Sequence, residues 1–274
     1  MKKSREPEAL LCIVSCRMRR GRTFLMMLWV ACVVTSCVSP PPPVSDVPKP
    51  SREIYRMAAK RFAAIVVSER GDVDQWLGSR FSQKDAPKDA DGGSAIPIAA
   101  DGYFLTAEHV LAQAKGRKVF VIVRRDGRLR ATPARIIWRS AADDVALIHA
   151  PIATPDYYQW SPTDSWLPQG SPVMHAGIAT GFSSPSGRLL SPIRPETGMS
   201  GNQRFKHDIP LEPGDSGGAV VDSRGLLVGV NSAVEFLVPL ETAFFIESEA
   251  NRPNVGRVMK RIETDRKTSV NTRS

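Results

Sequence analysis

Two features of the sequence predict an all-β fold. Beyond residue 60 the chain consists of short apolar runs separated by turn dipeptides such as Asp101-Gly102 and Arg224-Gly225. Asp126-Gly127, flanked by strand-like sequence, predicts a two-residue β-hairpin. Many short strands without long amphipathic helices favour a barrel or a sandwich.

The predicted elements follow in order, without an internal repeat. A short helix after Ser51 precedes a first strand over Phe62–Val67. A second short helix is predicted over Asn254–Ile262, and we expect the last twelve residues to be disordered. The intervening strand candidates are Tyr103–Thr106, Val119–Val123, Arg135–Trp138, Val145–Ile148, Pro172–Gly177, Ala219–Val221 and Leu226–Val230.

The charge distribution argues against a nucleic-acid partner. Of the net charge of +9, residues 1–36 and 251–274 contribute +5 each, through seven Lys or Arg against two acidic residues, which leaves −1 for residues 37–250. A nucleic-acid-binding domain carries its basic face on the folded body. Because the basic charge lies at the two ends here, we expect no nucleic acid to bind.

Residues 1–36 have the layout of a secretory signal. A basic cluster at 17–22 precedes the apolar run Phe24–Val34, and small residues follow before Cys37. The run is short for a membrane span. The segment Val34-Thr35-Ser36-Cys37 resembles the bacterial lipoprotein signal box, which implies a lipid on Cys37 and a place in the cell envelope. An uncleaved signal anchor and a start at Met18 remain alternatives.

Cysteines and prolines shape the region around the predicted cleavage point. All four cysteines lie in the first 37 residues, so the remainder of the chain contains no disulfide. Four prolines at 40–43, with Pro48 and Pro50 further on, predict an extended spacer over residues 37–51. Such a spacer would hold the folded domain away from a membrane surface.

The most informative segment is Pro213–Gly218, with the sequence PGDSGG. A serine nucleophile needs an adjacent base and backbone N–H donors, and flanking glycines allow both. A Gly-rich surface turn is the alternative. The segment also fits the nucleophile elbow of α/β-hydrolases, but that fold needs a histidine after the serine, and all four histidines precede Ser216. An Asp101, His109, Ser216 order of the subtilisin type lacks the required βα alternation.

Three segments in the order His, Asp, Ser resemble the chymotrypsin-like serine proteases. They are Thr106–His109 (TAEH), Asp144–Ile148 (DVALI) and Gly214–Gly218 (GDSGG). The resemblance covers about residues 60–250 and is closest to the disulfide-free Deg/HtrA-type proteases of bacteria. It implies two antiparallel six-stranded β-barrels, and we expect no PDZ domain to follow them.

The resemblance assigns a role to each site residue. Ser216 would be the nucleophile, His109 the general base, and Asp144 the group that orients the imidazole, with Asp143 as its competitor. The N–H groups of Gly214 and Ser216 would form the oxyanion hole. The implied activity is peptide-bond hydrolysis through an acyl-enzyme, without a cofactor.

Substrate-binding residues are expected in two segments. Pro210 and Leu211 lie in the segment before the nucleophile and offer no charge at the floor of the S1 pocket, which predicts an apolar pocket. Asn231 and Ser232 lie on a strand that resembles the one that pairs with substrate, and Ser232 falls where the family often bonds the triad aspartate.

The remaining polar residues suggest smaller roles. His149 and His175 are expected to be core or edge histidines, and His207 is a candidate for touching substrate. Glu108, beside His109, would raise the pKa of the imidazole if buried. No Cys/His cluster has zinc spacing and no P-loop is present, so no metal site is expected.

The sequence thus divides into five parts: a signal peptide (1–36), a Pro-rich linker (37–51), an N-terminal barrel (52–155), a C-terminal barrel (156–250) and a helix with a basic tail (251–274). The predicted function is a serine endopeptidase tethered in the bacterial envelope. A catalytically silent or partner-activated binding module, with a regulatory partner protein, is the alternative.

Overall fold

The residues that the structure, a computed structural model, describes form twelve strands and two α-helices. They are residues 50–69, 71, 73, 77, 91–180, 186–198, 201–240 and 243–271, all within a unit spanning residues 39–274. The predicted signal peptide, the lipidation site Cys37 and nearly all of the Pro-rich linker lie outside these residues. None of the described helices is long and apolar enough to cross a bilayer.

The first six strands form a closed antiparallel barrel in the order β1-β2-β3-β6-β5-β4. Every residue of the first strand is buried, which explains its continuous apolar sequence. Ile65, Phe104, Val121 and Ile148 fill the interior of the barrel. The strands are β1 (Ala63–Ser68), β2 (Asp91–Pro97), β3 (Tyr103–Thr106), β4 (Lys118–Arg125), β5 (Arg128–Ser140) and β6 (Val145–His149).

The predicted hairpin is confirmed between β4 and β5. Asp126 and Gly127 have φ values of 50° and 73°, and Arg125 pairs with Arg128 across the turn. Two consecutive residues of positive φ match the right-handed twist of the flanking strands. The hairpin therefore sets the register of the two longest strands of the first barrel.

The second half is a six-stranded sheet in the order β8-β7-β10-β11-β12-β9. The expectation of a second closed barrel is met only in part, because β8 and β9 at the two edges are joined by a single bridge between Leu189 and His207. The strands are β7 (Pro172–Ala176), β8 (Ser186–Arg188), β9 (Gln203–His207), β10 (Ala219–Asp222), β11 (Leu227–Leu240) and β12 (Ala243–Arg252).

An apolar layer joins the two halves and both helices. Ile96 and Leu147 of the first barrel meet Met174 and Leu227 of the second sheet. The helix α1 (Arg52–Lys60) adds Ile54 and Ala58, and the helix α2 (Val255–Asn271) adds Val258 and Ile262. Because this layer is continuous, the catalytic candidates on both sides are held on one rigid base.

The C-terminal helix is longer than the sequence predicted. It continues to Asn271 and so covers residues 263–271 of the twelve expected to be disordered, while residues 272–274 lie outside the described part of the chain. The apolar stripe ends at Ile262, but Asp265 then pairs with Arg135 and accepts a 2.6 Å hydrogen bond from the Tyr103 hydroxyl, and Arg266 binds Asp101. These ion pairs with the first barrel extend the helix beyond its apolar face.

Candidate active site

His109 and Asp144 come together at one end of the first barrel. His109 lies in a short 3₁₀ helix (Glu108–Ala114) directly after β3, and Asp144 occupies the turn before β6 with a φ of 46°. His109 Nδ1 lies 3.0 and 2.9 Å from the two oxygens of Asp144, and the His109 backbone N–H donates to Oδ1 at 2.9 Å. This double attachment directs the other ring nitrogen, Nε2, away from the carboxylate.

The structure distinguishes Asp144 from the competing Asp143. Asp143 accepts a 2.6 Å hydrogen bond from Ser140 within its own turn. Asp144 instead accepts a second hydrogen bond from the other half of the molecule, donated by the hydroxyl of Ser232 on β11. Asp144 is therefore the carboxylate that faces both His109 and the second sheet.

These contacts shift both pKa values in directions that suit a base and its orienting group. The hydrogen bond that His109 donates to Asp144 raises the pKa of His109, with a further contribution from the charges of Asp144 and Glu108, while burial opposes them. Burial alone would raise the pKa of Asp144, but hydrogen bonds from His109 and Ser232 hold it below its ordinary value. Asp144 thus remains a carboxylate, which stabilises the imidazolium form of His109.

Glu108 is buried, with 8% of its surface exposed. This is the condition under which the sequence predicted that it raises the pKa of His109. Its carboxylate accepts a 2.6 Å hydrogen bond from Arg139 Nε. The neighbouring guanidinium compensates much of its charge, so it contributes less to His109 than Asp144 does.

The nucleophile loop packs against the segment that carries His109. Ser94 N–H donates to Ser216 O at 2.8 Å. A Cβ on Gly217, whose φ is 83°, would lie 2.9 Å from Ala107 N, so only glycine allows this approach. Among the described residues, Ser216 Oγ and His109 make no hydrogen bond with each other. Ser216 is 8% exposed and can be reached from the surface.

Backbone N–H groups in the loop alternate between bonded and free. Asp215 N–H donates to Glu212 O at 2.9 Å, and Gly217 N–H donates to Asn231 O at 2.8 Å. The N–H groups of Gly214 and Ser216 have no acceptor within the part of the chain that the structure describes. Two free donors on either side of a bonded one are suited to hold a developing oxyanion.

Ser94 supports this loop in a way that the sequence analysis missed. Its hydroxyl donates to Gly214 O at 2.8 Å and accepts from Ile178 N–H at 2.9 Å. Gly214 has a φ of 108°. Ser94 thereby fixes the peptide group between Gly214 and Asp215, which lies between the two free donors. Its position on β2, opposite the nucleophile loop, depends on tertiary packing that a single sequence does not reveal.

The substrate-binding candidates do not share one surface. Pro210 is exposed, whereas Leu211 is 7% exposed. Ser232 directs its hydroxyl to Asp144. Asn231 is fully buried: its backbone N–H donates to Gly218 O, its C=O accepts from Gly217 N–H, and its side chain lies between two histidines.

The other histidines also have defined positions. His207 has no exposed surface, which corrects its candidacy for touching substrate, and His175 is equally buried. His149 Nε2–H donates to Asp101 O at 3.1 Å on the far side of the first barrel, and the ring contacts that of Tyr103.

The geometry agrees with comparisons to known proteins. Residues 93–230, just over half of the chain, match the trypsin-like peptidase domain. The chain belongs to the trypsin-like peptidase family. It is 27% identical over 223 residues to serine protease PepD of Mycobacterium tuberculosis, covering 74% of this chain and 43% of that protein. It is 28% identical over 178 residues to a probable periplasmic DegP-like serine endoprotease of Pseudomonas fluorescens, covering 57% and 34%.

Solved structures of an HtrA-type protease share the fold. An HtrA-type protease, AlgW, solved with a decapeptide, superimposes with a TM-score of 0.53 at 22% identity, over 78% of this chain and 68% of that chain. The same protease with a tripeptide gives a TM-score of 0.51. The chain spans between about a third and a half of the curated relatives named above.

Proposed function

We propose that this trypsin-like peptidase is a serine endopeptidase with a triad of His109, Asp144 and Ser216. The observation that carries the proposal is the Asp144 carboxylate, which receives hydrogen bonds from His109 on one side of the cleft and from Ser232 on the other. A half-buried carboxylate with this pair of donors orients an imidazole for proton transfer.

The reaction uses these groups in sequence. Ser216 Oγ attacks the peptide carbonyl carbon while its proton passes to His109 Nε2, and the N–H groups of Gly214 and Ser216 receive the oxyanion. The C–N bond then breaks, and His109 returns the proton to the amine that leaves. A water molecule, deprotonated by His109, attacks the acyl-enzyme and releases the carboxylic acid and Ser216.

The substrate class proposed is a peptide with a small or medium aliphatic side chain at the cleaved bond. Ile209 and Leu211 supply buried apolar groups before the nucleophile, and Pro210 occupies the position expected for the floor of the S1 pocket. Peptide-bound structures of the HtrA-type neighbour AlgW support a peptide ligand. Cleavage of a peptide library predominantly after Arg or Lys would contradict an apolar pocket.

We further propose that the enzyme faces the periplasm as a lipoprotein anchored through Cys37. The order of basic, apolar and small residues before Cys37 supports this location, as do relatives named as periplasmic proteases. The Cys37→Ser variant is expected to appear in the soluble fraction after cell lysis. Unchanged membrane association of that variant would contradict the anchor.

Hydrolysis of an unfolded protein tests the activity. The purified full-length chain is expected to release peptides from reduced, unfolded casein, and Ser216→Ala and His109→Ala to release none. A folded wild-type protein with no more activity than Ser216→Ala would contradict the proposal.

A partner-activated protease is the second candidate, favoured by one observation. Ser216 Oγ and His109 make no hydrogen bond among the described residues, so the two side chains must approach each other before attack. Hydrolysis that appears only on addition of an envelope extract, and only with an intact Ser216, would support this candidate.

A further inference from the structure

A row of buried polar side chains beneath the nucleophile loop has no part in the mechanism above. Asp215, His175, Asn231 and His207 have 0% of their surface exposed. They come from the nucleophile loop and from strands β7, β11 and β9. Buried polar groups of this kind are costly unless each finds a partner, so their partners define what the row does.

The backbone N–H of Ile209 fixes every proton along the row. It donates to His207 Nδ1 at 3.3 Å, so the proton of that ring lies on Nε2, which donates to Asn231 Oδ1 at 2.9 Å. The other amide atom, Asn231 Nδ2, therefore donates to His175 Nδ1. The proton of His175 then lies on Nε2, 3.2 Å from Asp215 Oδ1.

The row ends at a carboxylate that ties two segments to the nucleophile loop. Asp215 Oδ1 accepts from the N–H groups of Ala179 and Thr180 at 3.1 and 3.2 Å, and Oδ2 accepts from Glu212 N–H at 3.0 Å. Burial alone would raise the pKa of Asp215, but the contact with His175 and these N–H groups hold it below its ordinary value. The residue before the nucleophile therefore stays ionised.

His175 is the member of the row that is wedged into the loop. Its alignment with Asp215 falls short of a hydrogen bond, so the contact between them is electrostatic. A Cβ on Gly177 would lie 2.6 Å from His175 Nε2, and one on Gly218 would lie 2.8 Å from its Cε1. The ring thus fills the space between β7 and the loop, and a smaller or tilted side chain would release both.

We propose that His175 is a positioning residue, which holds Asp215 and with it the free N–H groups of Gly214 and Ser216. Asn231 and His207 extend the contact to Ile209, at the start of the segment before the nucleophile. The geometry of the oxyanion donors is thereby linked to the specificity segment. This inference rests on the proposed serine endopeptidase function.

The rate at which a fluorophosphonate labels Ser216 in the full-length protein measures this effect. The phosphonyl oxygen must enter the oxyanion site, so we expect His175→Leu to slow the bond-forming step tenfold or more per folded molecule. The affinity of the initial probe complex should change less than threefold. His175→Gln, whose amide nitrogen can approach the position of Nε2, should recover part of the loss. The control His149→Leu should stay within twofold of wild type.

A double variant tests the extension to Ile209. His207→Phe removes both hydrogen bonds of that ring while keeping its size. Because His175 and His207 act through one row, we expect the double variant His175→Leu/His207→Phe to label about as slowly as His175→Leu alone. A double variant whose loss in labelling rate equals the product of the two single losses would overturn the link to the specificity segment.

Histidine ¹⁵N spectra test the row without a change in the protein. We expect the neutral form of both buried rings, His175 and His207, to carry its proton on Nε2. Two buried rings with the proton on Nδ1 would overturn the proposal even if His175→Leu fails to fold. Labelling of His175→Leu at the wild-type rate would overturn it while leaving the protease assignment intact. A folded wild-type protein that does not react with the probe would contradict both the role of His175 and the serine endopeptidase function.

Discussion

Ser232 donates its hydroxyl proton to Oδ2 of Asp144, and this bond joins the second sheet to the carboxylate that holds His109. Ser232 lies at the point where β11 leaves its ladder with β12, since Asn231 pairs with Ala250 and the next paired residue is Glu235. The irregularity frees Ser232 to turn toward the first barrel. This bond therefore adds to those of Ser94 in aligning the two halves of the candidate site.

Removal of that bond should slow the reaction without unfolding the protein. A hydrogen bond to a charged group contributes about 1.5–3 kcal/mol, so we expect Ser232→Ala to lower the labelling rate of Ser216 by about 10- to 100-fold. Ser140→Ala is the matched control, since it removes a serine donor from the neighbouring Asp143. A similar loss in both variants would show that the effect is structural.

The two adjacent aspartates should differ sharply. Asp144→Asn removes the charge that stabilises the imidazolium of His109 and allows the wrong tautomer, so we expect a loss of about 10⁴-fold in kcat. Asp143→Asn keeps an acceptor for Ser140, and its kcat should stay within about threefold of the wild-type value. Steady-state kinetics on one peptide checks both, and equal losses would contradict the assignment of Asp144.

The pH dependence should follow His109. Its pKa lies above the ordinary value of 6.5, chiefly because of the hydrogen bond with Asp144. The neutral ring is the base, so activity should be low at acid pH and rise through that pKa as the proton leaves. Glu108→Gln removes a charge that favours the imidazolium, and its pH–rate midpoint should move to lower pH. Glu53→Gln, exposed on α1, should leave the midpoint in place.

The C-terminal helix should contribute to stability and not to chemistry. Ile262 has no exposed surface in the layer between the two halves, so we expect Ile262→Ala to lower the free energy of unfolding by about 2–4 kcal/mol. The exposed neighbour Glu263→Ala should change it by less than about 0.5 kcal/mol. Denaturant titration measures both, and equal values would contradict the docking of α2.

Local patterns in the sequence predicted much of the fold. The Asp126-Gly127 turn and the apolar strand from Phe62 were recognisable because turn chemistry and burial act over a few residues. The continuation of α2 was missed because ion pairs with the first barrel, and not an apolar stripe, hold Asp265 and Arg266. The incomplete closure of the second sheet likewise depends on contacts between distant strands.

The residues of the candidate site also fall into those that local sequence predicted and those that depend on packing. Short motifs indicated His109, Asp144 and Ser216 because each chemical role needs a particular residue beside particular neighbours. Ser94 was missed, and the contacts of Asn231 with two histidines were not foreseen, since each depends on which distant residue it faces. Pairings of this kind arise from packing and have no spacing in the sequence.

The most direct test of the central claim is the site of fluorophosphonate attachment in the full-length protein, located by mass spectrometry of its peptides. The account predicts one adduct on Ser216 in the folded wild type, its loss after heat denaturation, and no adduct in His109→Ala. A folded protein that carries no adduct on Ser216, or an adduct that persists at full rate without His109, would contradict an activated serine at this site.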